Sequence, residues 1–364
     1  MSTDAKLGAE AQRAALSKIG TLARFAVIGA VLGVIIGSFA YIGGSLTGKD
    51  LRPVDFADEF ERIAGVHSGF RRNHAKGVGV SGYFESNGAG ARLSKAIVFQ
   101  VGRVPVTGRF SLAGGQPYMA DAANTIRGLG LKFSLPDGEQ WRTAMNSIPV
   151  FMVNTPAAFY ERLIASRPDP TTGKPDPTKM KAFLASHPET VRAMKIMSSH
   201  PPASGFANST YSSLNAFFFV NMDGVSTPVR LQLVPLDAFE PAASTLPTKE
   251  NKNYLFDALI VRLHRGPVQW HLILVVGQPG DPTNDATIPW PEGRERVDAG
   301  TLTLSDIESA ETSVAQDINF DPLVLPAGIV PSDDPLLSAR SAVYSQSFTR
   351  RAGETKEPSA EAGK

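Results

Sequence analysis

Residues 71–84 read Arg71-Arg72-Asn73-His74-Ala75-Lys76-Gly77-Val78-Gly79-Val80-Ser81-Gly82-Tyr83-Phe84. One imidazole is followed at once by a glycine-studded strand, which holds the histidine at the wall of a sheet or barrel. Gly77, Gly79 and Gly82 remove side chains where a strand would present them, and so let another backbone or a flat ligand come close. Taken alone, a histidine beside glycines also describes an ordinary strand beginning. The chain on either side has to decide between the two.

Downstream, residues 78–153 alternate short apolar runs with turn residues, at 96–101, 104–111 and 129–135, and Gly114-Gly115 and Asp137-Gly138 mark two of the turns. This predicts an antiparallel meander, as in a barrel or sandwich. Residues 157–197 change to helical spacing around a Pro/Gly/Thr-rich loop at 168–178. Strands return at 216–221 and 228–234, joined by Met222-Asp223-Gly224, and two more apolar runs, 255–264 and 270–276, flank the Arg265-Gly266-Pro267 break. Proline, aspartate and glycine are dense from 277 to 335, which predicts an extended wrapping segment with one strand at 296–304. Pro331-Ser332 offers an N-cap to a helix from Pro335 to about Arg350, with Asp333 and Asp334 suited to its start. Beyond 352 the composition predicts a disordered tail.

Upstream, residues 51–69 place Phe56, Phe60, Ile63 and Ala64 at helical spacing, a short helix leading into the histidine stretch. Residues 1–24 are polar and carry Lys6, Arg13, Lys18 and Arg24, whereas 25–46 contain no charge. A bilayer core needs about 20 apolar residues in a helix. The run predicts an uncleaved transmembrane anchor rather than a signal peptide, whose core spans only roughly 7 to 15 residues. Basic residues on the N-terminal flank stay in the cytoplasm, so the remainder is expected outside it, on the periplasmic side of the inner membrane in a bacterium.

The 364 residues carry 36 Lys and Arg against 35 Asp and Glu, a formal charge of +1, which gives no global field for nucleic acid. Cysteine is absent, excluding disulfides, thiolate metal sites and cysteine nucleophiles. A hydrophobic content of 42% is enough for a sizeable core.

The order of four further stretches gives the histidine its context. Pro105-Val106-Thr107-Gly108-Arg109-Phe110-Ser111, Arg127-Gly128-Leu129-Gly130-Leu131-Lys132-Phe133 and Met145-Asn146-Ser147-Ile148-Pro149-Val150-Phe151 follow it at short intervals. Phe320-Asp321-Pro322, then Arg340-Ser341-Ala342-Val343-Tyr344 and Arg351, close the series. With His74 these resemble the haem catalase family over most of residues 51–351, in its short, catalase-related peroxidase branch. The resemblance implies an α+β fold: an antiparallel β-barrel of the haem catalase type with added helices and a wrapping segment, here preceded by one transmembrane helix. It divides the chain into a cytoplasmic tail (1–24), an anchor (25–46), a haem domain (51–351) and a tail (352–364).

Arg340 and Tyr344 are four apart, so they share one helix face. By spacing alone, an ordinary arginine beside a core tyrosine fits equally. The resemblance implies instead that Tyr344 is the proximal iron ligand, held as phenolate beside the Arg340 guanidinium. It places His74, Ser111 and Asn146 on the other side of haem: His74 as acid and base, Asn146 as a neutral donor to peroxide, Ser111 fixing the His74 tautomer. Arg71, Arg109 and Arg351 match propionate-pairing arginines, and Phe159 an aromatic that stacks on the porphyrin.

The expected cofactor is therefore haem and the expected activity a peroxidase reducing hydrogen peroxide and organic hydroperoxides with an unidentified electron donor, protecting against oxidative stress, with weak catalase activity. Asn73 stands where large catalases usually carry valine, which implies a wider or more polar approach to iron. Nothing corresponding to the helical domain of full-length catalases follows Arg351, so a monomer or small homo-oligomer is expected. Two alternatives stay open on the same scaffold: a non-catalytic haem-binding module and a fatty-acid hydroperoxide isomerase.

Overall fold

The computed structural model describes residues 51–243, 251–308 and 313–358. The tail at 1–24 and the anchor expected at 25–46 lie outside the described residues. Among the described residues no helix is long and apolar enough to cross a membrane.

Among the described residues ten strands form the sheet: β1 Gly77–Ser86, β2 Gly102–Leu112, β3 Arg127–Ser134, β4 Gln140–Asn146, β5 Tyr211–Ser212, β6 Phe217–Val220, β7 Ser226–Pro235, β8 Val268–Val276, β9 Arg296–Glu308 and β10 Ile329–Pro331. Neighbours run β7-β5-β4-β3-β2-β1-β9-β8, and β8 pairs back onto β7, so eight strands close a barrel while β6 and β10 extend from it. Every pairing is antiparallel. Closure removes the unpaired edges that an open sheet would expose.

Side chains alternate across the sheet with period two. Val78 and Val80, then Val106 and Phe110, then Leu129, Leu131 and Phe133, then Trp141 and Met145 point inward and belong to one continuous core. Each large apolar side chain removed from water contributes about 1.5–3 kcal/mol. Aromatic rings give that core its shape: Phe133 stacks on Trp141 at 4.7 Å, and Phe110 meets Trp270 at 6.0 Å.

The same alternation turns Arg109, Ser111, Gly128, Gly130 and Asn146 to the other face. Register lines them up, since Gly77 pairs with Ser111, Ser111 with Gly128, and Gly128 with Asn146. This face is covered by α1 (Pro53–Ala64), α2 (Pro156–Ala165), the wrapping segment at 313–320 and α6 (Pro335–Ala352). At Gly79 an added Cβ would fall 1.8 Å from Ser313 Oγ, so the close approach expected at the glycines is made by the chain itself. The remaining helices are α3 (Pro177–Ser186), α4 (Pro188–Ser198) and α5 (Tyr254–His264).

Four sequence expectations shift. Residues 96–101 are not a strand: Ile97–Phe99 form a 3-10 turn, and just before it Ser94 Oγ accepts the Ala96 N–H at 3.1 Å. A short apolar run has no periodicity with which to tell a strand from a turn. Of the two runs around Arg265-Gly266-Pro267, the first is helix α5 and the second strand β8. The cap of α6 is Asp334, whose carboxylate accepts the Leu336 N–H at 2.9 Å, ahead of Pro335 in the first helical turn. Residues 353–358, expected to be disordered, pack on the turn before His74. Glu354 accepts from Arg72 and from the Gly69 N–H at 2.9 Å, and Tyr118 donates to the Pro358 carbonyl at 2.8 Å. Arg72 is buried and needs carboxylates, and Glu61 and Glu354 supply them.

Candidate active site

His74 sits in the turn leading into β1 with φ of 57°, in the left-handed region. A non-glycine residue there costs on the order of 1–3 kcal/mol unless its surroundings hold it. Asn73 does so: its carboxamide oxygen accepts the His74 N–H at 3.0 Å and the Gly114 N–H at 2.8 Å. Asn73 also lines the cavity, yet its oxygen is occupied with backbone, so its first effect falls on the geometry of His74. Two residues on, the Lys76 ammonium is buried against Asp121 at 2.7 Å and Asn253 at 2.8 Å, which ties the start of β1 to the loop ahead of β3 and to α5.

The Nδ1 atom of His74 is 3.0 Å from Ser111 Oγ. A Cβ on Gly128 would lie 2.9 Å from the imidazole and 2.8 Å from that hydroxyl oxygen, so only glycine leaves the ring its place. Burial, then the charges of Arg109, Arg340 and Arg71, push the His74 pKa down from 6.5 to about 3. The imidazole is therefore neutral at neutral pH. Asn146 ends β4 and faces the same cavity.

Tyr344 reaches this cavity from α6. One turn earlier, Arg340 places a guanidinium nitrogen 3.5 Å from the phenol oxygen. Arg340 also donates to the Ala144 carbonyl at 2.9 Å and to the Asn215 carboxamide, whose NH2 donates to Asp334 at 2.7 Å. Asp334 thus caps the helix that carries Tyr344 and, through Asn215, aims the arginine beside it. Ser341 donates to Asp321 at 2.7 Å, fastening Phe320-Asp321-Pro322 to the same helix.

Arg71, Arg109 and Arg351 also line the cavity. Arg71 donates to the Ala315 and Ile318 carbonyls at 2.9 and 3.0 Å and to Gln316 Oε1 at 3.0 Å. Arg351 donates to the Gln316 and Ile318 carbonyls, and Arg109 to those of His74 and Ala75, both at 2.8 Å. Burial together with Arg109 and Arg351 lowers the Arg71 pKa, and burial brings that of Arg351 to about 10. Asp317, whose charge acts on both, is itself paired with Lys356 at 3.0 Å. Clustered guanidiniums held mainly by neutral oxygens are costly without an anion, and the two propionates of a haem supply that charge.

Phe159 stands in an aromatic group on the cavity wall, 5.7 Å from Phe151, 6.2 Å from Phe60 and 6.3 Å from Phe56, ring centre to ring centre. The cavity holds about 440 Å³ and contains every residue singled out from the sequence. A phenol beside a guanidinium, a neutral imidazole, a cationic cluster and an apolar wall fit a haem.

Sequence reasoning missed Asn215, Gln316 and Arg162, and it placed Asp334 at the helix start without making it the cap. Asp334-Pro335 was readable as a cap followed by proline at the first helical position. Asn215 follows Leu214, which has φ of 66°, in a loop with no pattern to find it by.

A model of the catalase family matches residues 49–357. The chain is 40% identical over 312 residues to a catalase-related peroxidase of Synechococcus elongatus, covering 86% of this chain and 91% of that one. It is 32% identical over 305 residues to a catalase-related peroxidase of Mycolicibacterium paratuberculosis, covering 83% and 96%. Among solved structures, a fungal catalase superposes with a TM-score of 0.72 at 22% identity, over 79% of this chain and 60% of that one. Catalase A of Saccharomyces cerevisiae gives 0.70 at 21% identity, over 82% and 64%. The chain thus spans about three fifths of each of these catalases and nearly all of each catalase-related peroxidase. Barrel, site and relatives agree: the chain belongs to the catalase family, in its catalase-related peroxidase branch, whose enzymes depend on haem and act on peroxide.

Proposed function

We propose that the protein is a haem peroxidase that reduces hydrogen peroxide and organic hydroperoxides with an external electron donor, with Tyr344 as the iron ligand. The observation that carries this reading is the neutral His74 imidazole, bonded to Ser111 and facing the cavity that Tyr344 enters from α6. Haem, when bound, would supply redox-active iron and with it the two electrons that peroxide reduction consumes and the donor restores. His74 takes the hydroperoxide proton on Nε2 while Ser111 accepts from Nδ1–H, and it returns that proton to the departing oxygen. Such a transfer is commonly worth about a hundredfold to ten-thousandfold. Asn146 orients the peroxide through its NH2 group. Arg340 places its positive charge 3.5 Å from the phenol oxygen that would bond the iron. Arg71, Arg109 and Arg351 would bind the propionates, and Phe159 would stack on the porphyrin.

The same reading places the haem domain in the periplasm, tethered by residues 25–46, where it protects against oxidative stress as a monomer or small homo-oligomer. The haem-loaded protein is to be assayed with hydrogen peroxide and with an alkyl hydroperoxide, each with and without an oxidisable donor. Donor-dependent turnover is expected. Loss of hydroperoxide at the same rate without donor would instead indicate isomerisation, and retained haem with no peroxide consumed would indicate a haem-binding module. Protease treatment of intact and lysed spheroplasts tests the location, since the haem domain should be cut in both.

A further inference from the structure

The face of α2 that lines the cavity carries Phe159, Arg162, Leu163 and Ser166. Arg162 differs from every other arginine in the site. Arg71, Arg109, Arg340 and Arg351 are all tied to carbonyl or carboxamide oxygens. The Arg162 guanidinium makes no hydrogen bond or ion pair among the described residues. Burial alone lowers its pKa, with no carboxylate acting on it. The charges that act on His74 are Arg109, Arg340 and Arg71, those on Arg351 are Asp317 and Arg72, and Arg162 is in neither set. Its nearest company along the helix is apolar: Phe159, one turn back, joins Phe56, Phe60 and Phe151.

The Arg162 guanidinium lines the cavity half-buried and pairs with no carboxylate, so it is open to an anion that enters there. One cation at the margin of an aromatic wall matches an amphipathic anion, with its acid on the fork and its apolar chain along Phe60 and Phe151, the cavity-lining rings that carry no haem role. We propose that Arg162 binds the carboxylate of the substrate, and that the preferred substrates are hydroperoxides borne on an apolar chain ending in a carboxylate. This rests on the peroxidase reading for the reaction, while the recognition itself is a property of the cavity.

Binding and turnover separate the two. On the haem-loaded full chain, calorimetry with dodecanoate and with methyl dodecanoate compares an acid with its uncharged ester. The parent should bind the acid at least about tenfold more tightly, the scale of one charge-assisted contact. Arg162→Met should abolish that preference, keep its haem, and melt close to the parent without ligand, because no hydrogen bond or ion pair is lost with the guanidinium. Arg162→Lys should keep part of the preference. With a linoleate hydroperoxide and its methyl ester as substrates and a donor present, the ratio of the two KM values should fall toward one in Arg162→Met. Equal binding of acid and ester by the parent would overturn the proposal, as would a preference that survives in Arg162→Met. Loss of haem from Arg162→Met would also overturn it, by giving the guanidinium to a propionate. If the parent turned over no peroxide, the peroxidase reading would fail while calorimetry still decided the role of Arg162.

Discussion

His74 Nδ1 lies 3.0 Å from Ser111 Oγ, a contact that exists only because Gly128 leaves both groups room. A Cβ at position 128 would stand under 3 Å from each, and β3 is held in register between β2 and β4, so the side chains have to move rather than the strand. Gly128→Ala should fold and retain haem, since Tyr344 and the arginines come from other elements. Its kcat for peroxide should drop by about a hundredfold, the usual cost of misplacing a catalytic group by about 1 Å. Activity within twofold of the parent would mean that His74 does not need this position.

Asn73 acts on the same histidine through the backbone. Asn73→Ala removes the acceptor for two N–H groups, those of His74 and Gly114, and with it the brace for a left-handed residue. Each lost hydrogen bond is worth about 0.5–1.5 kcal/mol. The expected result is a stability loss of about 1–3 kcal/mol by denaturant titration, together with a lower kcat. Asn73→Asp keeps the acceptor oxygen and should recover most of both. An unaltered kcat in Asn73→Ala would confine Asn73 to widening the approach.

The depressed pKa of His74 predicts how pH acts on both activity and stability. With a folded value of about 3 against an ordinary 6.5, the imidazole stays neutral on the enzyme across that interval, whereas the unfolded chain takes up its proton. This group's contribution to stability is therefore complete above pH 6.5 and is lost progressively as pH falls from 6.5 to 3. His74→Gln abolishes that linkage, so Tm should fall less steeply for the variant than for the parent over this window. The kcat/KM of the parent for peroxide should show no acid limb near pH 6.5. Parallel Tm profiles, or an acid limb at 6.5 that His74→Gln removes, would show a histidine that titrates normally.

The physics of each element explains how much of it could be read in advance. The antiparallel meander was legible because inward positions repeat every second residue, as in Leu129, Leu131 and Phe133, and because turn residues separate the runs, while the choice of barrel over sandwich came from the family resemblance. The helix bearing Tyr344 was legible from its start to within two residues of its end. The named site residues all line one cavity because they sat inside ordered motifs. What escaped was carried by long-range pairing with no local pattern. Asn215 joins Asp334 to Arg340 from a loop more than a hundred residues away along the chain. Residues 353–358 have the composition of a disordered segment, and they are ordered by the buried charge of Arg72, which only the folded chain brings near them. Arg162 looked like any arginine on an amphipathic helix until the cavity showed which way its face is turned.

Tyr344 and Arg340 offer the sharpest separation of cofactor binding from folding. Tyr344→Phe keeps the ring and almost all of its packing while deleting the one oxygen that can bond iron. The Asp334 cap and the Asn215 bridge to Arg340 do not depend on that oxygen, so α6 should stay formed and Tm should change little. Haem occupancy, measured as bound iron porphyrin per chain, should fall to a small fraction, and the ferric tyrosinate spectrum should vanish. Arg340→Leu should be milder toward iron, because it removes the positive charge beside the bonding oxygen and leaves the oxygen itself in place. It should be harsher toward the fold, because Asn215 and the Ala144 carbonyl both lose their donor. That crossing of effects is the test: haem loss greater in Tyr344→Phe and Tm loss greater in Arg340→Leu. If Tyr344→Phe kept both its haem and an unchanged spectrum, the iron ligand would have to be sought on another residue of the cavity wall.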